Sequence, residues 1–235
     1  TDQPKRIEEV EPDSFATYVP FNGSSRRRFF KGNRFEIYFG KIESQRNRKN
    51  RYNLLTYRSD IKKILTDNAI FDIADVEDQL FFDEVKRLLA LPAAASQTLP
   101  LAGGLTAANV VAGIKRLTGQ KIPIGKIVMT ESLYAEALKL PATSVGDDVA
   151  SKHYYDGLQG ETKLWGHPVV TTIKNDIVAD NEFYIFGPQN YLGYHYHLEA
   201  PTLEVKEEGD QIEFYTYNVP GIGIASYRPM VRVTV

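Results

Sequence analysis

Apolar and polar residues alternate over 34–40, which places Phe35, Ile37 and Phe39 on one face of a strand. The stretch 51–58, RYNLLTYR, has the composition of a second strand, and the polar run 43–50 between them predicts the tip of a long hairpin. A lone two-stranded hairpin is marginal in water, so this one is expected to lie on another surface. The period then changes. Ile73, Val76, Leu80, Val85, Leu88 and Leu89 recur at steps of three and four, predicting a helix over 72–91 that Pro92 closes. Its acidic first half and the pair Lys86-Arg87 near its end suit the helix dipole.

Beyond it, 93–104 is a connector rich in small residues. Thr106 is placed to cap a helix over 107–117 that ends at Gly119. A strand is expected at 126–129, helices at 131–140 and 147–155, a strand at 164–173 around Trp165, and a buried strand at 182–186 ended by Gly187-Pro188. The remainder is β-rich, with strands at 191–199, 202–206, 212–217 and 230–235 and a hairpin turn at 207–210. The first twenty-odd residues carry Pro4, Pro12 and Pro20 and form an extended arm without its own core. Thr1 in first place agrees with loss of an initiator methionine or removal of an upstream segment. The order of elements predicts an α+β fold, with the middle inserted into a discontinuous domain.

Composition narrows the function classes. At 235 residues, 43% hydrophobic and 25% charged, the chain is an ordinary folded protein with room for a sizeable core. It has no cysteine, which excludes disulfides and cysteine metal clusters. No apolar run approaches the ~18–20 residues that span a bilayer.

Charge changes the picture more. The formal net charge is -2, yet residues 24–63 hold thirteen basic and three acidic side chains, and 64–85 hold seven acidic and no basic ones. Basic residues with aromatics between them suggest a nucleic-acid surface, arginines on phosphates and rings stacked on bases. The strand alternation and the acidic helix beside it favour instead a protein surface whose complement is another copy of the chain. The expected contact residues are Arg26, Arg27, Arg28, Arg34, Phe35, Ile37, Phe39, Arg46, Arg48, Lys49 and Arg51, facing Asp75, Asp78 and Glu84.

Candidate chemistry is sparse. The run AGGL at 102–105 lacks the lysine and glycine spacing of a phosphate loop. His195 and His197 are two apart, so a strand would put both on one side as in some metal sites, with Glu199 as a third donor on that face. A polar strand face is the expected reading. His167, between Gly166 and Pro168, has the surroundings of a turn. No nucleophile, acid–base or cofactor constellation stands out, so no catalytic, cofactor-binding or metal-binding residue and no enzymatic activity are expected.

Taken in order, these segments resemble the major capsid protein family of tailed bacteriophages, the Hong Kong 97 fold, over nearly the whole chain. The residues that carry the resemblance are KIVMTESLYAEAL at 126–138, LWGHPVVTT at 164–172, NEFYIFGPQNYLG at 181–193 and the ending IASYRPMVRVTV at 224–235. It implies an N-terminal arm at 1–23, an extended loop at 24–58, a peripheral domain with a spine helix at 59–98 and 195–225, and an axial α/β domain at 99–194 and 226–235. It implies a structural coat protein, not an enzyme. Copies would form hexamers and pentamers of an icosahedral shell around a double-stranded DNA genome, touched non-specifically. Assembly would take place in the host cytoplasm, with no membrane partner and with cement or decoration proteins as further partners. A scaffolding segment ahead of Thr1 would be removed by a protease. Some members weld subunits by a Lys–Asn bond. Lys31, Lys41 and Lys49 lie in the loop, but the turn Glu207-Glu208-Gly209-Asp210 has no asparagine, so that bond is not expected. The alternatives are an encapsulin-type nanocompartment shell, which the proline-bearing arm fits poorly, and a nucleic-acid-binding protein using 26–51.

Overall fold

A computed structural model of the chain describes residues 5–8, 16–21, 23–24, 34–52, 61–137 and 163–235. In chain order it contains β1 (Lys5–Glu8), β2 (Arg34–Ile37), β3 (Ile42–Glu43), β4 (Asn47–Asn50) and the long helix α1 (Ile61–Leu89). A 3-10 turn (Pro92–Gln97) leads into β5 (Thr98–Pro100), α2 (Ala107–Thr118), β6 (Lys126–Thr130) and α3 (Glu131–Ala137). Then come β7 (Lys163–Leu164), β8 (His167–Thr172), β9 (Glu182–Phe186), the short α4 (Gln189–Leu192), β10 (Gly193–Glu208), β11 (Gln211–Ile224) and β12 (Met230–Thr234). The chain divides into two compact units. One comprises Thr1–Arg6, Glu36–Glu84 and Tyr194–Gly223, the other Ile7–Phe35, Val85–Gly193 and Ile224–Val235. The mixed α+β class is the one expected.

The second unit is built on a six-stranded mixed sheet of order β5-β12-β9-β6-β8-β7. Its central strand β9, EFYIF, is buried at every position, which explains why it lacks alternation. α2 packs on β12 and β9, and α3 on β6 and β8. Their apolar faces enclose a core that includes Val110, Leu117, Ile127, Met129, Leu133, Phe183, Ile185, Val231 and Val233. Thr106 caps α2 as expected, its side chain accepting from the Asn109 amide at 3.2 Å. Within the sheet, Glu182 is buried and ion-paired with Arg232, whose Nε stands 2.7 Å from Oε2. The Tyr184 hydroxyl donates to the same carboxyl at 3.0 Å, and burial followed by that charge pushes the phenol well above its ordinary range.

Three expectations need correction here. The strand expected at 164–173 is interrupted. Trp165 and Gly166 adopt φ of 50° and 79°, and Leu164 pairs with His167, so a two-residue turn joins β7 to β8. The helix expected at 72–91 begins eleven residues earlier, at Ile61. Its buried stripe does not follow the expected set either. Ala69, Ile73, Val85 and Leu89 are buried, with Glu77 and Phe81 half-buried between them, one position in four. Steps of four drift by ~40° on a 3.6-residue helix, so the stripe winds around α1 and leaves Val76 and Leu80 exposed. No helix among the described residues is long and apolar enough to cross a membrane. The helix expected at 147–155 and most of the N-terminal arm lie outside the described residues.

Candidate intersubunit surface

In the first unit β10 and β11 are neighbours in a sheet, and β3 and β4 pair with β11 on its other side. β10 and β11 flank the expected turn at Gly209-Asp210, and β10 runs unbroken through Pro201, which is tolerated because β10 is an edge strand.

The pairing of the basic segment differs from the expected hairpin. β2 is in a two-stranded sheet with β1, and Arg51-Tyr52 are helical in place of strand. Most of the supposed second strand, 53–58, lies outside the described residues. The polar stretch read as a tip is itself a strand. Phe39 bridges Gly221, Ile42 and Glu43 oppose Asn218 and Tyr217, and Asn47 to Asn50 oppose Phe214 to Gln211, all antiparallel. Between these two ladders Ser44, Gln45 and Arg46 face only Tyr215 and Thr216. One extra residue therefore makes a bulge. Ser44 closes it at both ends of its own residue: its amide donates to the Thr216 carbonyl at 2.8 Å, and its hydroxyl accepts from the Thr216 amide at 2.9 Å.

The bulge aims charge. Arg46 donates to Glu43 Oε1 at 2.7 Å and approaches Glu213 at 3.5 Å, while its guanidinium lies 4.7 Å from the Tyr215 ring centre. Arg48 Nε stands 2.6 Å from Glu213 Oε2, and Lys41 Nζ 2.9 Å from Glu43 Oε2 and 4.5 Å from the Tyr217 ring centre. Hydrogen bonds from Lys41 and Arg46 hold the Glu43 carboxyl below its ordinary range. Tyr215 and Tyr217 donate to Glu204 and Glu199 on β10, the latter at 2.7 Å. One face of β11 is thus a row of carboxylates and rings under the cations of the basic segment.

This places the expected contact residues. Ile37 is completely buried, and Phe39 is half-buried, with Gly221 of β11 beneath both. Ile37 as a subunit contact is corrected, since a side chain with no exposure in its own chain has none to offer a neighbour. Phe35 is half-buried. For Arg46 and Arg48, acidic partners lie in the same chain, Glu43 and Glu213, and not on the helix. Lys49 and Arg51 are exposed, as are Asp75 and Asp78, and Glu84 is half-buried. Arg26, Arg27, Arg28 and Lys31 lie outside the described residues, as does the Arg34 side chain.

The opposite face of β11 holds Phe214, Thr216 and Asn218, all buried. The Asn218 amide donates to Glu77 Oε1 of α1. There the two histidines of β10 meet the helix: their ring centres are 4.5 Å apart, and His197 Nδ1 is 3.9 Å from Glu77 Oε1. Burial, then the neighbouring His197, hold His195 below its ordinary pKa against the pull of Glu77. Glu199, the third donor considered from the sequence, is engaged with Tyr217 instead.

No protein-family model matches the chain, and no curated protein matches it in sequence. Solved structures do match. The capsid structure of cyanophage P-SCSP1u is similar over 100% of this chain and 84% of its own, with TM-score 0.68 and 10% identity. The mature capsid of bacteriophage PhiM1 matches over 99% and 82%, with TM-score 0.64 and 10% identity. The virus-like particle from Pyrococcus furiosus matches over 98% and 86%, with TM-score 0.60 and 15% identity. At such low identity the likeness establishes the fold. The chain has the α+β capsid fold of tailed phages, the one the order of its segments predicts.

Proposed function

We propose that this chain is a major capsid protein, a structural subunit that assembles in many copies into a closed icosahedral shell around double-stranded phage DNA, in the host cytoplasm and then in the virion. The observation that carries this reading is likeness over 99–100% of the chain to phage capsid subunits. Hexamers and pentamers of the same chain are its partners. Contact between subunits is assigned to the basic segment, through Arg26, Arg27, Arg28, Arg34, Phe35, Lys49 and Arg51, against the helix carboxylates Asp75, Asp78 and Glu84. The charge blocks and the exposure of Lys49, Arg51, Asp75 and Asp78 support that assignment. Arg46, Arg48 and Phe39 serve it indirectly, by fixing the segment on β11.

Sedimentation and electron microscopy of the purified chain test the reading: closed shells are expected, and monomers under every assembly condition overturn it. The likeness to the Pyrococcus particle keeps one second reading, a nanocompartment shell. Nuclease-protected DNA inside the particles selects the capsid, and a protein cargo without DNA selects the compartment.

A further inference from the structure

Glu77, His195 and His197 come from two elements far apart in the sequence, α1 and β10, and all belong to the first unit. One donor atom from each lies within 4.8 Å of the others. We propose that they form a binding site for a divalent transition-metal ion, zinc in the first instance, that pins the middle of α1 to β10.

The donor set selects the metal. Two imidazoles and one carboxylate suit zinc and its neighbours, whereas magnesium and calcium take oxygen ligands. Bonds of ~2.0–2.2 Å in a tetrahedral arrangement put ligand atoms about 3.4 Å apart. The present 3.9 Å between His197 Nδ1 and Glu77 Oε1 is within a fraction of an ångström of that, and the remaining adjustment falls to two exposed histidine rings. The carboxylate is already oriented. Asn218, with no solvent exposure, directs its amide at Glu77 Oε1, the supporting hydrogen bond that metal-bound carboxylates typically have. Three protein donors leave a fourth position for water or a further ligand.

A metal here does what a hydrogen bond at this place cannot. It joins elements whose sequence separation is large with bonds that exist only in the folded chain, so its binding energy adds to stability by mass action. The site is independent of the shell reading, because all three donors come from the first unit of a single chain.

The test uses the full-length chain stripped with chelator and titrated with zinc sulfate, followed by calorimetry, elemental analysis and thermal melting. One zinc per chain and a zinc-dependent rise in melting temperature are expected. The double variant His195→Gln/His197→Gln should bind about a hundredfold more weakly or worse, Glu77→Gln about tenfold more weakly, and His167→Gln as the parent does. Sub-stoichiometric zinc in the folded parent, or unchanged affinity in the double variant, overturns the proposal. A measurement on the unsubstituted protein covers variants that do not fold. Zinc should shift the imidazole NMR signals of the two histidines that lie beside each other, and a shift confined to His153 or His167 overturns it equally.

Discussion

The Phe39 ring lies over Gly221, so close that a Cβ at position 221 would stand 2.7 Å from both Cδ1 and Cε1 of the ring and 3.0 Å from Ile37 Cγ2. The basic segment is therefore seated on β11 by a gap in the strand, not by charge alone. Gly221→Ala should destabilise the first unit by about 1–3 kcal/mol, the usual cost of overpacking. Adding Phe39→Leu should return part of the loss. Thermal melting of the three proteins checks this, and a neutral Gly221→Ala would show that the segment is held elsewhere.

Glu213 is nearly buried while Arg46 and Arg48 remain half-exposed. Exposed pairs are worth ~0–1 kcal/mol, but a desolvated carboxylate left without partners costs more. Removing both arginines by Arg46→Ala/Arg48→Ala should thus cost more than removing the charge itself by Glu213→Gln, by about 1–2 kcal/mol. Urea midpoints measured on both variants decide the order. The reverse ranking would mean that Glu213 is solvated and the arginines are ornaments of the surface.

The limits of the sequence reading can be seen in these same residues. Alternation at Phe35, Ile37 and Phe39 correctly marks one covered face, because strand geometry is local. What covers it is not local: the partner, β11, lies some 180 residues away, and the charged character of 43–50 concealed a strand whose ladder is satisfied by that distant element. The bulge at Ser44–Arg46 has no composition signal. Buried β9 and the capped α2 were legible because their cues, a short continuous apolar run and a Thr–Gly bracket, are contained within the element. The acidic block marks Asp72 as a helix start, whereas Leu65, Ala69 and Ile73 carry the apolar period back at steps of four into the helix that begins at Ile61. The histidine pair was visible from spacing alone, and Glu77 was invisible, since only the packing of α1 brings it there.

Tyr217 gives a pH-dependent prediction. Its hydroxyl donates to Glu199, and that bond, followed by burial and the Glu199 charge, pushes its pKa up to about 12 from 10.0. The fold favours the neutral phenol. The contribution is complete below the ordinary phenol range and is lost as pH rises from about 10 toward 12. Alkaline spectrophotometric titration, taken as the parent minus Tyr217→Phe, should isolate one phenol ionising near the upper end. Glu199→Gln should bring it back toward 10. A phenol at 217 that is already ionised at the ordinary value would sink the assignment.

Arg232 and Glu182 form an ion pair set into the six-stranded sheet. Glu182 is buried and also accepts from the Ala179 amide and the Tyr184 hydroxyl. Arg232→Ala should destabilise the second unit by about 3 kcal/mol, because it strands a buried carboxylate. Arg232→Ala/Glu182→Gln should recover much of that by removing the stranded charge. Chemical denaturation of the single and double variants measures the difference, and equal loss in both would place the cost in packing instead.

Burial and charge make opposite predictions for two parts of the basic segment. Ile37 has no exposure, so Ile37→Asp buries an unpaired carboxylate and should cost more than 4 kcal/mol. It is expected to unfold the first unit of the unassembled subunit, before any question of assembly arises. Arg26, Arg27 and Arg28 belong to the block of thirteen basic residues, and under the proposed contact reversing all three to glutamate turns attraction to a neighbour's carboxylates into repulsion. The triple variant should melt as the parent does, yet form shells at a yield at least about tenfold lower, since a weak contact multiplied around every capsomer becomes decisive. Changing Asp75 and Asp78 to lysine in the same chain should restore part of the yield. Melting curves and particle counts together separate the cases. If the triple variant assembles normally but retains no DNA, the basic stretch faces the genome and the assignment to subunit contact falls.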